Sequence, residues 1–370
     1  MDFAFSEEQE MLRASARQFL AEKLPLERVA EIADGDAGWD SETWRATGEL
    51  GWIGLSVPEE RGGAGMTFLD EAVLFEELGY ALYPGPYLAT VAVALPLLAA
   101  GDLPLDDIMA GRSAATVAWA EKGGPYHLSD LDDLGTKAEQ KNGSWILSGQ
   151  KDLIVDLDLC DVIAVVAKAS EGLGIWVVRS DAAKPVGLQT VDRTRRFGRV
   201  DFNAIEASLV VAPGAADDLL AQVKLRVLAA LGLEGVGIAQ RAQELAIEHA
   251  KTRNQFDKPI GTYQAVSHPL ADTYADTERA RSLAYWASWC VAEGDPQAAL
   301  AAAAAKSFAA EAAVTACERA IQVHGGIGFT WEHVLHRLYK RAEWIESFEG
   351  IGAHHRRVIA AGLLEGASDR

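Results

Sequence analysis

The stretch of the chain richest in candidate chemistry is residues 321–357, which combine a glycine turn, a basic helix and an isolated acidic turn. Glu349 is a candidate general base, because a carboxylate can remove a proton from a reacting carbon. Gly325 and Gly326 carry no side chains that would keep a ligand phosphate away from the backbone. The alternatives are a plain helix stop at the two glycines and an ordinary surface turn at Glu349.

A second group of side chains that could bind a ligand lies in residues 252–268. Arg253 presents a planar guanidinium group that suits a pyrophosphate. Gln255 and Gln264 carry amides, and Phe256 carries a flat apolar face. A basic helix end followed by a Pro-Ile-Gly turn explains the arginine without a ligand. It does not explain the Gln-Phe pair beside it.

Glu234 is a second candidate for the general base. It is the only charged residue between Arg226 and Arg241, in the run VLAALGLEGVGIAQ. A helix that is apolar on all sides is buried, so this carboxylate would be desolvated. The competing interpretation is a buried partner of an arginine.

Two further stretches of the C-terminal third predict helices with few or clustered charges. Arg337, Lys340 and Arg341 are three and four residues apart and therefore share one helical face. This face either meets the phosphates of a ligand or is simply solvated. Residues 298–313 are so rich in alanine that they predict a closely packed helix. Their only charged residues are Lys306 and Glu311.

Several of these runs together resemble the signature motifs of the acyl-CoA dehydrogenase family. Residues 252–268 match its Arg-x-Gln-Phe-Gly-x-Pro-Ile-x-x-Phe-Gln-Ala motif, except that Asp257 replaces the glycine. Residues 322–329 resemble its Gln and Gly-Gly run, and residues 348–350 resemble its Tyr-Glu-Gly turn. The loop at residues 58–65 is similar to its Pro-Glu-x-x-Gly-Gly-x-Gly loop. The resemblance covers nearly the whole chain.

This resemblance implies an FAD-dependent dehydrogenase in which a carboxylate removes the α proton of an acyl-CoA thioester while hydride leaves the β carbon. It implies Glu349 as the base, with Glu234 as the alternative. It also implies electron-transfer flavoprotein as the electron acceptor and a homo- or hetero-tetramer. The acyl group, whether fatty, branched or a steroid side chain, stays open, as does a related oxidase or monooxygenase activity. The flavin-binding residues that it implies are Arg253, Gln255, Phe256, Gln264, Gln322, Gly325 and Gly326.

The middle of the chain departs from the family pattern. Residues 118–124 stand where well-known members have Thr-Glu-Pro-x-x-Gly-Ser-Asp, and residues 152–155 stand where they have Trp-Ile-Thr or Trp-Ile-Ser. Leu153 and Val155 cannot donate the hydrogen bonds of the residues that they replace. In this respect the chain resembles shorter actinobacterial-type subunits that pair with a second, non-identical chain. It is therefore either a catalytic subunit or a supporting subunit that completes the flavin site of a partner.

The elements that must position these residues fall into three predicted domains. Apolar residues at helical spacing predict an α-helical domain over residues 1–112, in which Ser6 and Gln9 cap the first helix. Short β-branched runs between turns predict a β domain, barrel-like by the resemblance, over residues 113–217. Helical patterns return over residues 218–370 and predict a four-helix bundle. The predicted fold class is mainly α with a central β domain.

Composition restricts the partners of the chain. Its formal charge of −20, from 34 basic against 54 acidic residues, repels nucleic acids and anionic membranes. The first residues lack a basic n-region and the longest apolar run is broken by Pro96, so we expect a cytoplasmic protein without a membrane span. Metal-ligand spacing is absent from the three cysteines, from the histidines of residues 324–355 and from the acidic run Asp130, Asp132 and Asp133. We therefore expect no metal site.

Overall fold

A computed structural model of the protein describes residues 5–124, 126–128, 131 and 133–368. Asp130 and Asp132 of the acidic run lie outside the described residues. The N-terminal helical elements are α1 (Glu7–Lys23), α2 (Leu26–Asp34), α3 (Ser41–Glu49), α4 (Phe68–Tyr80), a π-helix (Leu88–Ala94), α5 (Leu95–Ala99) and α6 (Asp106–Met109).

A block of strands follows, and helices then continue to the end of the described chain. The strands are β1 (Ala115–Ala118), β2 (Lys137–Lys141), β3 (Ser144–Val155), β4 (Val162–Ala169) and β5 (Gly172–Arg179), then helix α7 (Ser180–Ala183), β6 (Val186–Leu188) and β7 (Phe197–Val211). The C-terminal elements are α8 (Asp217–Thr252), β8 (Asn254–Gln255), β9 (Lys258–Pro259), α9 (Gln264–Glu293), α10 (Ala298–His324), α11 (Leu335–Ser347) and α12 (Gly352–Ser368). This order confirms the predicted fold class, mainly α with a central β domain.

The chain separates into two compact units. The first unit contains the chain up to Gly35, Phe68–Tyr83 and the chain from Leu228 on. The second unit contains Asp36–Thr67 and Pro84–Val227. The domain boundaries predicted after residues 112 and 217 divide the chain by type of secondary structure, and they stay a prediction.

The second unit contains a closed β-barrel. Antiparallel pairs join β2 to β3, β3 to β7, β7 to β5 and β5 to β4. A parallel pairing of Lys137 with Lys168 joins β4 back to β2 and completes the ring. Asn142 and Gly143, with φ of 52° and 87°, turn the hairpin between β2 and β3 as their sequence predicts. The Trp176 indole is buried in the barrel core.

Close packing of α8 on α10 gives the first unit its rigid centre. A Cβ added to Gly232 would lie 3.4 Å from the backbone of Ala305, and one added to Gly235 would lie 3.1 Å from that of Ala309. Small side chains on both helices therefore allow their backbones to approach closely. The predicted tight packing of the alanine-rich helix is confirmed.

Ion pairs that each contain one buried residue, Glu76 or Arg337, connect distant parts of the chain within the first unit. Glu76 on α4 is buried and accepts hydrogen bonds from Arg281 Nε at 2.9 Å and from the Tyr285 hydroxyl at 2.7 Å. Asp34, the last residue of α2, accepts two hydrogen bonds from Arg337, at 2.7 and 3.3 Å. Removing one partner of such a pair leaves an uncompensated buried charge, so each pair fixes the packing of its helices.

One helical segment among the described residues, Ala298–Phe329, reaches the length and mean hydropathy of a membrane-spanning helix. However, 67% of its most apolar window is buried inside the fold, as it is in a core helix. The three cysteines are all buried and unpaired. That the chain has no membrane span and no metal site stays a prediction.

Candidate active site and cofactor site

Glu349 lies in the turn between α11 and α12. Its side chain is buried, with the residue only 2% exposed. Its backbone is in the left-handed region at φ 57°, and Gly350 follows at φ 101°. A non-glycine residue held there costs about 1–3 kcal/mol, and such residues cluster at functional sites. The interpretation of Glu349 as a surface carboxylate is therefore wrong, because the turn is folded inward.

Lys306 from the middle of α10 holds this turn. Its side chain has no solvent exposure, and its Nζ donates to the Glu346 carbonyl at 2.7 Å and to the Gly350 carbonyl. Burial lowers the pKa of Lys306 to about 8, against the attraction of Glu346, Glu349 and Glu311. The ammonium group therefore lies close to the candidate base, although the charge itself is expensive to bury.

Two histidines close the other side of the turn. A Cβ on Gly350 would come within 3.0 Å of the His354 ring and 3.3 Å of His355 Nε2, so only glycine fits. Burial and the charge of Lys306 lower the pKa of His355 to about 3, and this imidazole is neutral. The Glu346 carboxylate accepts a hydrogen bond from the Gly352 amide at 3.0 Å. The arrangement is a carboxylate on a turn fixed from several sides.

Glu234, the other candidate base, is also buried, but it faces an arginine. Its Oε2 lies 3.7 Å from Arg341 Nη1, and Arg341 also donates to the Tyr83 carbonyl at 3.4 Å. This geometry matches the interpretation of Glu234 as a buried partner of an arginine. Both functional assignments stay predictions.

The predicted basic face of α11 is wrong for its two arginines, both as a solvated face and as a phosphate-binding one. Arg337 and Arg341 are buried and paired with Asp34 and Glu234, so they neither meet solvent nor remain available to phosphates. Lys340 Nζ lies 4.5 Å from the centre of the Trp331 ring. The physical reason is that the face carrying the two arginines packs against acidic residues of α2 and α8.

The proposed cofactor residues of residues 252–268 lie on an exposed β-hairpin formed by β8 and β9. Phe256 and Asp257 make its two-residue loop, and both have left-handed backbones, with φ of 53° and 62°. The Phe256 side chain is 87% exposed. The Arg253 guanidinium is exposed and has no hydrogen-bond partner in the described part of the chain. Gln264 is exposed at the first position of α9.

A stack of histidine rings joins this hairpin to the glycine turn. His249, one turn before Arg253 on α8, stacks on His324 with ring centres 4.3 Å apart, and His333 lies 4.6 Å beyond. Burial is the largest cause that lowers the pKa of His249, and the electrostatic effects of His324 and Arg253 lower it further. The structure thus brings the ends of α8 and α10 together. Gly325 follows His324 directly.

The glycine turn leaves its backbone open. A Cβ at Gly325 or Gly326 would meet nothing within 4 Å, and Gln322 is exposed one turn earlier. These features fit FAD, because a dinucleotide needs an unpaired cation and accessible backbone for its phosphates, and a flat apolar face for its rings. When bound, FAD would be held by Arg253, the hairpin amides and the glycine turn.

The candidate base and the candidate cofactor residues lie at different places on α10. The sixteen residues from Lys306 to Gln322 span about 24 Å at the 1.5 Å rise of an α-helix. The structure therefore does not bring Glu349 together with Arg253 or Gln322 at one point.

The two altered segments of the second unit are tied to each other. Lys151 Nζ donates to Glu121 Oε1 at 2.8 Å and to the Trp119 carbonyl at 2.9 Å. Burial lowers the pKa of Lys151 to about 8, against the hydrogen bond and charge of Glu121. Leu153 is 37% exposed with φ 50°, and Val155 is buried. The Asp152 amide also donates to the Ala120 carbonyl at 2.9 Å, so this bond, with the ion pair next to it, links the segments that depart from the family motifs.

Sequence reasoning missed the roles of Lys306, His355, Glu121 and Lys151. Lys306 gave a signal, because it is the single cation of the alanine-rich residues 298–313. Glu121 and Lys151 gave none, since they lie far apart in sequence, and His355 gave none because burial, which its own position does not show, determines its state. Lys151 and Glu121 are 30 residues apart.

Comparison with known proteins gives a consistent result. Residues 226–364 match the model of the acyl-CoA dehydrogenase C-terminal domain, and residues 6–103 match that of the N-terminal domain. The chain is 35% identical to acyl-CoA dehydrogenase IpdE2 of Mycobacterium tuberculosis over 91% of each chain. It is 26% identical to CarC of the caffeyl-CoA reductase-Etf complex of Acetobacterium woodii, over 98% of this chain and 99% of CarC.

Among solved structures, the chain is similar to a chain of the ChsE4-ChsE5 complex from Mycobacterium tuberculosis. The TM-score is 0.87, with 26% identity over 99% of each chain. The similarity covers the helical parts and the barrel alike.

Proposed function

The chain belongs to the acyl-CoA dehydrogenase family of FAD-dependent oxidoreductases that act on CH-CH bonds, and from this premise we propose that it dehydrogenates an acyl-CoA thioester with Glu349 as the base. The observation that carries the assignment is the buried Glu349 carboxylate on a left-handed turn held by Lys306. Glu234 is the weaker candidate, because Arg341 already faces its carboxylate.

In the proposed mechanism, Glu349 accepts the α proton of the thioester at a carboxylate oxygen. Bound FAD supplies the acceptor for the hydride that leaves the β carbon. Burial of the turn excludes water from the base, which strengthens its interaction with charge that develops nearby. The neutral His355 beside Gly350 fills the space behind the base without adding a competing charge.

Replacement of the two carboxylates separates the two assignments. We expect Glu349→Gln to keep its FAD content and acyl-CoA affinity but to slow flavin bleaching in a single turnover by about 10²- to 10⁴-fold. The matched variant Glu234→Gln should retain the rate and lose stability instead, because it removes the charge that faces Arg341. The reverse pattern would move the base to Glu234.

A second candidate function is a subunit of a hetero-oligomer that completes the flavin site of a partner. Two observations favour it. The cofactor residues are exposed at the hairpin, with Phe256 projecting from its tip, which fits a surface that docks against another chain. In the second unit, Leu153 and Val155 cannot make the flavin contacts of the motifs that they replace. The relative solved as the ChsE4-ChsE5 complex is itself an assembly of two proteins.

The spectrum of the purified protein tests this second function. Expressed alone, the chain should be poor in flavin, and co-expression with a family member that carries the missing motifs should restore the yellow absorbance. Arg253→Ala in the assembled complex should then release flavin, because it leaves pyrophosphate charge unpaired. A fully flavinated, active homo-oligomer made from this chain would contradict the hetero-oligomer.

The remaining partners follow from the family and from the relatives. We propose electron-transfer flavoprotein as the electron acceptor, supported by the Etf complex in the name of the relative CarC. A tetramer, a cytoplasmic location and a role in lipid or steroid degradation are further parts of the proposal.

A further inference from the structure

We propose that Lys306 is a positioning residue for the base, which fixes the Glu349 turn through two backbone carbonyls and places a positive charge beside the carboxylate. The inference rests on the proposed function, because it takes Glu349 as the proton acceptor. It adds a residue on a different helix, 43 positions away in sequence, to the machinery of the reaction.

The first step of the argument is the rigidity of α10 at this point. Ala305 and Ala309 flank Lys306 and lie directly against glycines of α8, so the helix cannot shift towards α8 without a clash. The Lys306 side chain is buried along its whole length. Its Nζ is therefore held at a fixed place, which is what a positioning group requires.

The second step concerns the two carbonyls that receive the ammonium protons. Glu346 lies in the last turn of α11, where carbonyl groups have no partner within the helix. Gly350 carries the carbonyl that follows two successive left-handed residues. Lys306 thus holds the turn on both sides of Glu349. A strained turn persists only where the surrounding structure fixes it, and these hydrogen bonds supply that constraint.

The third step is the charge around Lys306. Glu311 on α10 is paired with Arg356, and the Glu346 carboxylate accepts from the Gly352 amide. His354 and His355 on α12 face the turn, and His355 is neutral. Both hydrogen bonds of the Lys306 ammonium go to neutral carbonyls, so its charge is not cancelled by direct pairing with a carboxylate. It therefore favours the ionised form of Glu349, which is the form that accepts a proton.

The test compares Lys306→Met with Lys306→Arg in the assembled, flavin-loaded complex. We expect Lys306→Met to slow flavin bleaching by about 10- to 100-fold, because small displacements of a reacting group have effects of this size. Flavin content and acyl-CoA affinity should stay within about twofold, since the Lys306 side chain is fully buried and its hydrogen bonds go to backbone carbonyls. The acidic limb of its pH-rate profile should move to higher pH, and Lys306→Arg, which keeps the charge, should move it less. Glu311→Gln, which removes an exposed charge from the same helix, is the control and should change little.

A second measurement does not depend on activity. Amide hydrogen exchange of residues 346–352 should become faster by at least about tenfold in Lys306→Met, since two hydrogen bonds that hold the turn are gone. Unchanged exchange would overturn the clamp. An unchanged rate in Lys306→Met, alongside a collapsed rate in Glu349→Gln, would overturn the positioning role.

The experiment still gives an answer if Glu349 is not the base or if Lys306→Met does not fold. If Glu349→Gln retains its rate, the proposed base is wrong, and hydrogen exchange alone decides whether Lys306 holds the turn. If Lys306→Met does not fold, the wild-type protein replaces it. Opening of the turn would release Lys306, whose pKa is about 8 in the closed turn, so raising the pH above 8 favours the closed form and should slow exchange of residues 346–352 after correction for its intrinsic pH dependence. Corrected exchange that stays constant would refute the clamp.

Discussion

Lys306 in the first unit and Lys151 in the second are both fully buried lysines, and each lies near a non-glycine residue with a left-handed backbone. For Lys306 that residue is Glu349, and for Lys151 it is Leu153. Burial lowers the pKa of both lysines to about 8. The two lysines differ in their partners. Lys151 meets the carboxylate of Glu121, whereas Lys306 meets only backbone carbonyls.

This difference in partners corresponds to a difference in what each lysine supports. A carboxylate neutralises the ammonium group that it contacts, so the pair in the barrel stabilises a loop without projecting charge. Carbonyl groups bind the ammonium without neutralising it, and its field then reaches a nearby acid. The left-handed residue beside the neutralised lysine is an aliphatic one. The residue beside the lysine that keeps its charge is the candidate base.

The largest expected effect comes from breaking the ion pair between Glu121 and Lys151. Glu121→Ala should lower the free energy of unfolding by about 3–5 kcal/mol, because it leaves Lys151 charged and buried without its carboxylate. Glu121 also accepts from the Gly135 and Thr136 amides, which adds to the loss. Denaturant titration of the wild type and the variant measures this change in the free energy of unfolding. The control is Glu139→Ala, whose pair with Lys141 has the same 2.8 Å separation but is exposed, and it should leave the denaturation midpoint nearly unchanged.

A smaller effect concerns pH and sharpens the comparison between the lysines. The folded-state pKa of each lysine, about 8, lies below the unfolded value of 10.5, so between these values the unfolded chain binds more protons. Stability of the wild type should therefore rise with pH in this window relative to Lys151→Met, by up to about 3 kcal/mol in total. Lys306→Met should show the same slope. A flat difference from pH 8 to 10.5 would mean that the lysine in question is not desolvated.

The smallest expected effect tests the left-handed residue beside Lys151. Leu153→Gly should raise the free energy of unfolding by about 0.5–1 kcal/mol, because glycine adopts φ 50° without the steric penalty of a Cβ. The matched variant Leu153→Ala removes the same side chain but keeps the Cβ, and it should show no gain. Thermal unfolding of the two variants side by side distinguishes relief of strain from loss of the exposed leucine.

Local signals in the sequence were sufficient for most of the fold. The capping box at Ser6 and Gln9 is present in the structure, with both hydrogen bonds formed. The Asn142-Gly143 pair, a sequence typical of two-residue hairpin turns, joins β2 to β3. These features depend on residues within a few positions of each other, so pattern and propensity determine them.

The candidate site could be predicted only in part, because its contacts are distant in sequence. The burial of Arg337 depends on Asp34, which lies 303 residues earlier, and no local pattern distinguishes that arginine from a solvated one. The carbonyls that Lys306 binds are 40 and 44 residues away. The candidate cofactor residues of the hairpin could be predicted from the sequence, since they form one contiguous motif. The groups that hold the Glu349 turn could not be predicted in this way.

The division of the first unit over three stretches of chain also determines when it can fold during biosynthesis. Helices α1 and α4 leave the ribosome long before α9, which carries the partners of Glu76, with Arg281 lying 205 residues later. Until then, the carboxylate has no cation from α9, and the face of α4 that packs on α9 has nothing to cover it. Residues of the second unit are completed first, at Val227. The amino-terminal helices must therefore wait for the carboxyl-terminal ones, and a nascent chain stalled after the barrel exposes their apolar faces to aggregation.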